Sequence, residues 1–125
     1  MSAVPFKLIS PSEVVFEGDA ELVIVVTTEG EEGILSRHAP LLAALRPGVL
    51  RANVGSEGAT RRLELATGAG FVQALPDRIA VLVDEALRFE DVDVAKTREE
   101  LAQALTAQDR TTAEFARAKL RLTGH

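Results

Sequence analysis

Residues 78–106 read RIAVLVDEALRFEDVDVAKTREELAQALT, and the period of the apolar residues changes inside them. Ile79, Val81 and Val83 stand two apart, the spacing of a strand with one buried face. Beyond Asp91, the residues Val94, Leu101 and Leu105 stand seven and four apart, which is one face of a helix. Asp91 or Asp93 is available as its N-cap. The change divides the chain into a strand-forming part, 1–88, and a helix-forming part, 89–125.

Upstream, Arg62-Leu63-Glu64-Leu65 alternates charged and apolar, whereas Leu22-Val-Ile-Val-Val26 is apolar at both parities and mostly β-branched. The first pattern fits a half-wet strand and the second a central strand covered on both faces. Turn residues recur about every ten positions: Pro11, Gly18, Gly30/Gly33, Pro40, Pro47/Gly48, Gly55/Gly58, Gly68/Gly70 and Pro76. Short strands at that spacing predict an antiparallel sandwich or barrel.

Downstream, no glycine or proline occurs between Pro76 and Gly124. The polar run 107–111 interrupts the helical pattern. Thr111-Thr-Ala-Glu114 then reads as a capping box for a second helix through Phe115 and Leu122. A short connection predicts an antiparallel hairpin, with Ala102, Ala113, Ala116 and Ala118 allowing close approach. Its large apolar side chains are too few to offset the entropy of ordering it alone, so it is expected to dock on the sandwich or on another protein. The expected class is α+β, a β-domain followed by a helical hairpin.

The 125 residues carry a net charge of −5 with acids and bases interspersed, which argues against a nucleic-acid binder. Cysteine is absent, which excludes disulfides and thiolate metal sites. The start shows no signal-peptide run, and no aliphatic run is longer than Leu22 to Val26, which falls far short of the ~20 residues that span a bilayer. Membrane association is expected only through a partner.

His38 is the only internal histidine and lies near Glu29, Glu31 and Glu32. A hydrolytic triad needs a nucleophile and an orienting acid besides the histidine, and no G-x-S-x-G elbow occurs. A metal site needs several ligands, and the other histidine is the terminal His125. Glu29, Glu31 and Glu32 flank Gly30 and Gly33, as on a solvated turn. Gly68-Ala-Gly70-Phe71 lacks the third glycine of a dinucleotide loop and reads as a tight turn. Arg110, Arg117 and Arg121, with Lys119 nearby, read as a solvated helix face or a stripe for an acidic partner. The residues therefore predict no catalysis, no metal and no resident cofactor. They leave open a free-standing β-sandwich that binds a small ligand under a helical lid.

Glu31-Glu-Gly-Ile-Leu-Ser-Arg-His-Ala-Pro-Leu-Leu42, followed by Arg46-Pro-Gly48, Gly70-Phe71, Val81-Leu-Val-Asp84 and Val92-Asp93, forms an ordered series. It resembles the epsilon subunits of bacterial and chloroplast F-type ATP synthases over most of the chain. The resemblance implies a ten-stranded sandwich and a two-helix hairpin in a non-catalytic subunit of the central stalk. It implies binding to a gamma subunit and to the c-subunit ring, and coupling of proton translocation to ATP synthesis in the alpha/beta head. It also implies a peripheral place at the cytoplasmic face of the bacterial plasma membrane, and a hairpin able to extend and inhibit hydrolysis. By position, Glu29, Glu31, Glu32 and His38 would face the c-ring, and Arg117 and Arg121 would face a beta subunit.

Three departures stand out. Ser36-Arg37 replaces the family's Pro-Gly, so Arg37 carries strain or the turn differs. Some members bind ATP as a regulatory ligand through I-D-x-x-R-A. Here Asp93 is kept but Lys96 replaces the arginine and loses its planar fork, which weighs against nucleotide binding. The hairpin is also short, which limits its reach.

Overall fold

A computed structural model describes residues 3–55 and 59–125; Gly58, counted above among the turn residues, lies outside them. Among the described residues, nine strands precede two helices: β1 (Val4–Ser10), β2 (Glu13–Thr27), β3 (Gly30–Leu35), β4 (Leu41–Leu45), β5 (Gly48–Val54), β6 (Arg61–Thr67), β7 (Gly70–Leu75), β8 (Arg78–Val83) and β9 (Ala86–Arg88). A 3₁₀ turn, Phe89–Asp91, leads to α1 (Val94–Thr106) and α2 (Arg110–Leu122).

The expected strand count of about ten differs because β2 is one 15-residue strand. Gly18 does not break it; the missing side chain leaves room for the Phe16 ring, tilted against Phe6 at 5.5 Å between centroids. The first half of β2, to Ala20, pairs with β1. Its second half runs between β3 and β5, with a register shift between Ala20 and Leu22. One strand thus serves both layers of a sandwich. The first layer is β2(N-half)–β1–β8–β7–β4, and the second is β3–β2(C-half)–β5–β6–β9. All pairings are antiparallel except β1 with β8.

Alternation aims one set of side chains from each layer inward. Phe6, Leu8, Val72 and Val81 from the first layer meet Val23, Val25, Leu50 and Leu65 from the second, each no more than 1% exposed. Burial of a side chain of this size contributes about 1.5–3 kcal/mol. The spacing read at Ile79, Val81 and Val83 is that of the buried face of β8. Gly70, at the start of β7, is required by close approach, because a Cβ there would run into the Leu82 carbonyl. Arg88 Nη2 donates to the Val15 carbonyl at 2.8 Å and ties β9 to β2.

Asp93 caps α1, its carboxylate accepting from the Lys96 amide at 3.1 Å. The second helix starts earlier than Thr111. Asp109 is its N-cap, accepting from the Thr112 amide at 3.1 Å and the Thr112 hydroxyl at 2.7 Å. Gln108, at φ 57°, makes the turn between the helices. Asp109 outcompetes Thr111 because the chain reverses at Gln108 and leaves the next side chain facing the free amides.

The hairpin docks mainly through α2, across β5 and β6. Phe115 and Ala118 pack on Ala66, bordered by Val49, Leu87 and Leu122. α1 lies on α2 with Val94 and Leu101 of the expected face part-buried, but Leu105 turns outward. Thr97 and Ala104 are its buried residues, Leu105 is 50% exposed, and Ala104 rather than Ala102 meets the partner helix. The most deeply buried positions of α1 are small, because two helices approach more closely over small side chains.

Candidate interaction surfaces

The outer face of the first layer carries a row of apolar residues set in register. Val14 of β2 stands opposite Ile9 of β1, Ile9 opposite Leu82 of β8, Leu82 opposite Phe71 of β7, and Phe71 opposite Ala44 of β4. Leu42 lies one pleat along from Ala44. Val14 is 50%, Leu82 49%, Phe71 58% and Leu42 73% exposed. Cross-strand partners lie about 5 Å apart, so the row is a continuous stripe rather than scattered side chains. Contiguous exposed apolar surface marks an interaction site. Reading motif by motif missed this row. The signal was present in Val81-Leu82-Val83, where both strand parities are apolar although only one faces the core.

Beside the stripe, a groove of about 520 Å³ is lined by Pro5, Lys7, Glu17, Asp19, Arg78 and Ala80 among others. It lies on β1, β2 and β8, away from the hairpin. Beneath the hairpin is a cleft of about 160 Å³, smaller than the ~300–1,000 Å³ of small-ligand pockets. The helices therefore do not form a lid over the larger groove.

The acidic residues and His38 do not form one cluster. Glu29 sits in the turn before β3, its amide donating to Thr27 Oγ1 at 3.0 Å. Along β3 the pleat sends Glu31 and Glu32 to opposite faces. Glu31 accepts from Arg51 Nη2 at 2.8 Å and shares a depression with Glu64, Arg121 and Leu122. Glu32 faces His38 Nε2 at 3.7 Å, while His38 Nδ1 lies 2.6 Å from the Ala39 carbonyl. Among the described contacts, His38 therefore has a carbonyl and a carboxylate as neighbours, and no hydroxyl or thiol nucleophile is paired with it.

Arg37 occupies the left-handed region at φ 63°. The turn is held by the Arg37 amide donating to the Pro76 carbonyl at 3.1 Å and the His38 amide to the Leu35 carbonyl at 3.2 Å. The glycine-type conformation is therefore kept and an arginine carries its cost.

On the hairpin, Arg110 and Arg117 border a depression with Leu105, while Arg121 lies apart beside Glu31. Lys119 does not belong to this solvated stripe. It is 8% exposed and paired with Glu100. Asp93 uses its carboxylate to cap α1, and Lys96 is exposed. Among the described residues no group of three or more metal-ligating side chains is assembled, and no helix is long and apolar enough to cross a membrane.

The family described as "ATP synthase, Delta/Epsilon chain, beta-sandwich domain" matches residues 3–89. Relatives named ATP synthase epsilon chain include one from Chromobacterium violaceum, 36% identical over 119 residues, covering 95% of this chain and 84% of its own. Another, from Halalkalibacterium halodurans, is 37% identical over 125 residues, covering 98% and 91%. Among solved structures, a chain of the Euglena gracilis mitochondrial ATP synthase superposes with a TM-score of 0.73 at 20% identity, covering 99% of this chain and 79% of that one. A chain of the Tetrahymena thermophila mitochondrial ATP synthase central stalk and c-ring gives 0.62 at 16% identity, covering 93% and 96%. At these identities the structural likeness shows the fold.

Proposed function

The chain belongs to the ATP synthase delta/epsilon-chain family, whose epsilon chains are non-catalytic subunits, and from that premise we propose that it is a central-stalk subunit seated against gamma. The observation that carries the reading is the apolar row in which Val14, Leu82, Phe71 and Leu42 are exposed and Ile9 and Ala44 join them. An unburied stripe of that length needs a partner of matching apolar character. In this arrangement the subunit turns with the stalk and couples proton translocation through the c-ring to synthesis in the alpha/beta head. It sits peripherally at the cytoplasmic face of the bacterial plasma membrane, reaching the membrane only through the complex.

Contact with the c-ring is assigned to Glu29, Glu31, Glu32 and His38. Because the pleat divides them, the contact uses the β2–β3 turn and the β3–β4 loop as two points rather than one patch. Charged groups there set register more than affinity. Arg117 and Arg121 are assigned to a beta subunit when the hairpin extends and restrains hydrolysis. No resident cofactor is proposed. At Asp93 and Lys96 the carboxylate is committed to the helix cap, which disfavours ATP as a regulatory ligand.

The test is capture of gamma by Phe71→Asp and Leu82→Asp variants. Each places a charge in the stripe, and a loss of at least about 100-fold in affinity, ~2.7 kcal/mol, is expected for a desolvated central position. Wild-type affinity in both variants, or a wild-type chain that ignores gamma, sinks the reading.

A further inference from the structure

The hairpin carries a buried ammonium. Lys119 Nζ donates to Glu100 Oε1 of α1 at 2.8 Å and lies 4.8 Å from the centre of the Phe115 ring. The same side chain lines the cleft of about 160 Å³ between the hairpin and the sandwich turns, whose walls also hold Asp84 and Glu85. Three carboxylates therefore border a cleft with one cation among its lining residues. Two of them belong to the sandwich and one to α1.

The helices are held in different ways. α2 is fixed by Phe115, Ala118 and Leu122 on the sheet. α1 packs on α2, and only Thr97 and Ala104 in it are buried. These small side chains, with Val94 and Leu101 only part-buried, remove modest apolar area from water, and the Lys119–Glu100 pair is the directed side-chain contact between the helices. A buried ammonium stripped of its anion is strongly unfavourable. Asp84 and Glu85 remain in place whatever α1 does. Their turn is pinned by the Asp84 amide donating to the Ala69 carbonyl at 3.0 Å and the Gly68 amide donating to the Glu85 carbonyl at 2.9 Å.

The geometry points to Lys119 as an exchangeable latch. It pairs with Glu100 while α1 is closed and passes to the Asp84/Glu85 turn when α1 leaves. α1 therefore separates from α2 first, and α2 keeps its seat on the sheet with its charge satisfied. This deepens the reading of the hairpin as a mobile arm and rests on it for functional meaning, but the order of opening is a property of the isolated chain.

Amide hydrogen exchange on the full chain tests the latch. Glu100→Gln is expected to speed exchange in α1 about tenfold and leave α2 unchanged; Glu100→Asp restores most of the α1 protection. Asp84→Asn with Glu85→Gln leaves α1 unchanged alone, but added to Glu100→Gln it speeds α2 as well, by a similar factor. That non-additive response separates exchange of partners from simple packing. Equal acceleration of both helices in Glu100→Gln overturns the inference, as does an unmoved α1 or strict additivity in the triple variant. Whether the hairpin restrains hydrolysis is read separately, from the activity of the assembled complex lacking residues 90–125.

Discussion

The two outer faces of the sandwich are made alike and covered differently. On the second layer, Val49 and Ala66 lie beneath Phe115, Ala118 and Leu122 of α2. On the first layer, Leu82, Phe71 and Leu42 are exposed. Both faces break the usual alternation of apolar inside and polar outside. One is satisfied by the chain's own helix. The other is left bare, and a helix-sized element supplied by another protein would satisfy it. In the proposed role the contrast is useful: one face holds the chain's own arm and the other is free for a partner.

The largest expected effect breaks the covered face. Phe115→Ala removes the anchor of α2, and a buried Phe→Ala change costs about 3–5 kcal/mol. Docking of the hairpin cannot absorb that loss. Amide exchange should show both helices unprotected while the sandwich still melts cooperatively near its original temperature. Loss of the sandwich transition would mean that the faces are not independent. The Phe71→Asp and Leu82→Asp chains supply the contrast. They should lose gamma yet change the chain's own stability by only about 1 kcal/mol, since those side chains are half exposed and meet only their cross-strand neighbours.

A smaller effect sharpens the covered face by pH. Hydrogen bonds from the Thr112 hydroxyl and amide hold the Asp109 carboxyl below its ordinary value. A depressed carboxylate contributes stability above its unfolded pKa, near 4, and loses it as pH falls through the lower folded value. Amides at the start of α2 should therefore lose protection below about pH 4, with the sandwich unaffected. Asp109→Asn should flatten that dependence, and a persistent acid transition would assign it to another group.

The smallest effect lies at the rim, where neither face should feel it. Arg37→Gly relieves a left-handed arginine and is expected to raise stability by about 0.5–1 kcal/mol, read by denaturant midpoint. Unchanged or lower stability would mean that the two turn hydrogen bonds fully compensate the strain. Gamma affinity should not move.

How much was legible follows from the range of each signal. The inward residues of β8 and the Asp93 cap are local patterns, visible over a few positions. So is the change of period that separates sandwich from hairpin. Gly18 misled because a glycine that makes room for a ring looks like a glycine that ends a strand. Thr111 misled because two adjacent capping signals compete, and the reversal at Gln108 chooses between them.

Lys119 was grouped with the solvated arginines by spacing alone, since Glu100 lies 19 residues away and leaves no trace in the helical period. Likewise, the carboxylates around His38 are close in sequence but parted by the pleat. The sequence by itself determined the two kinds of segment, the inward faces of the strands and, through an ordered set of motifs, the family. Only the tertiary structure decided which outward apolar residues were covered. That depends on where α2 comes to rest, and a helix is placed by the sum of long-range contacts rather than by its own pattern. The same packing turned one lysine of a basic stripe into a buried charge and left Phe71 in the open.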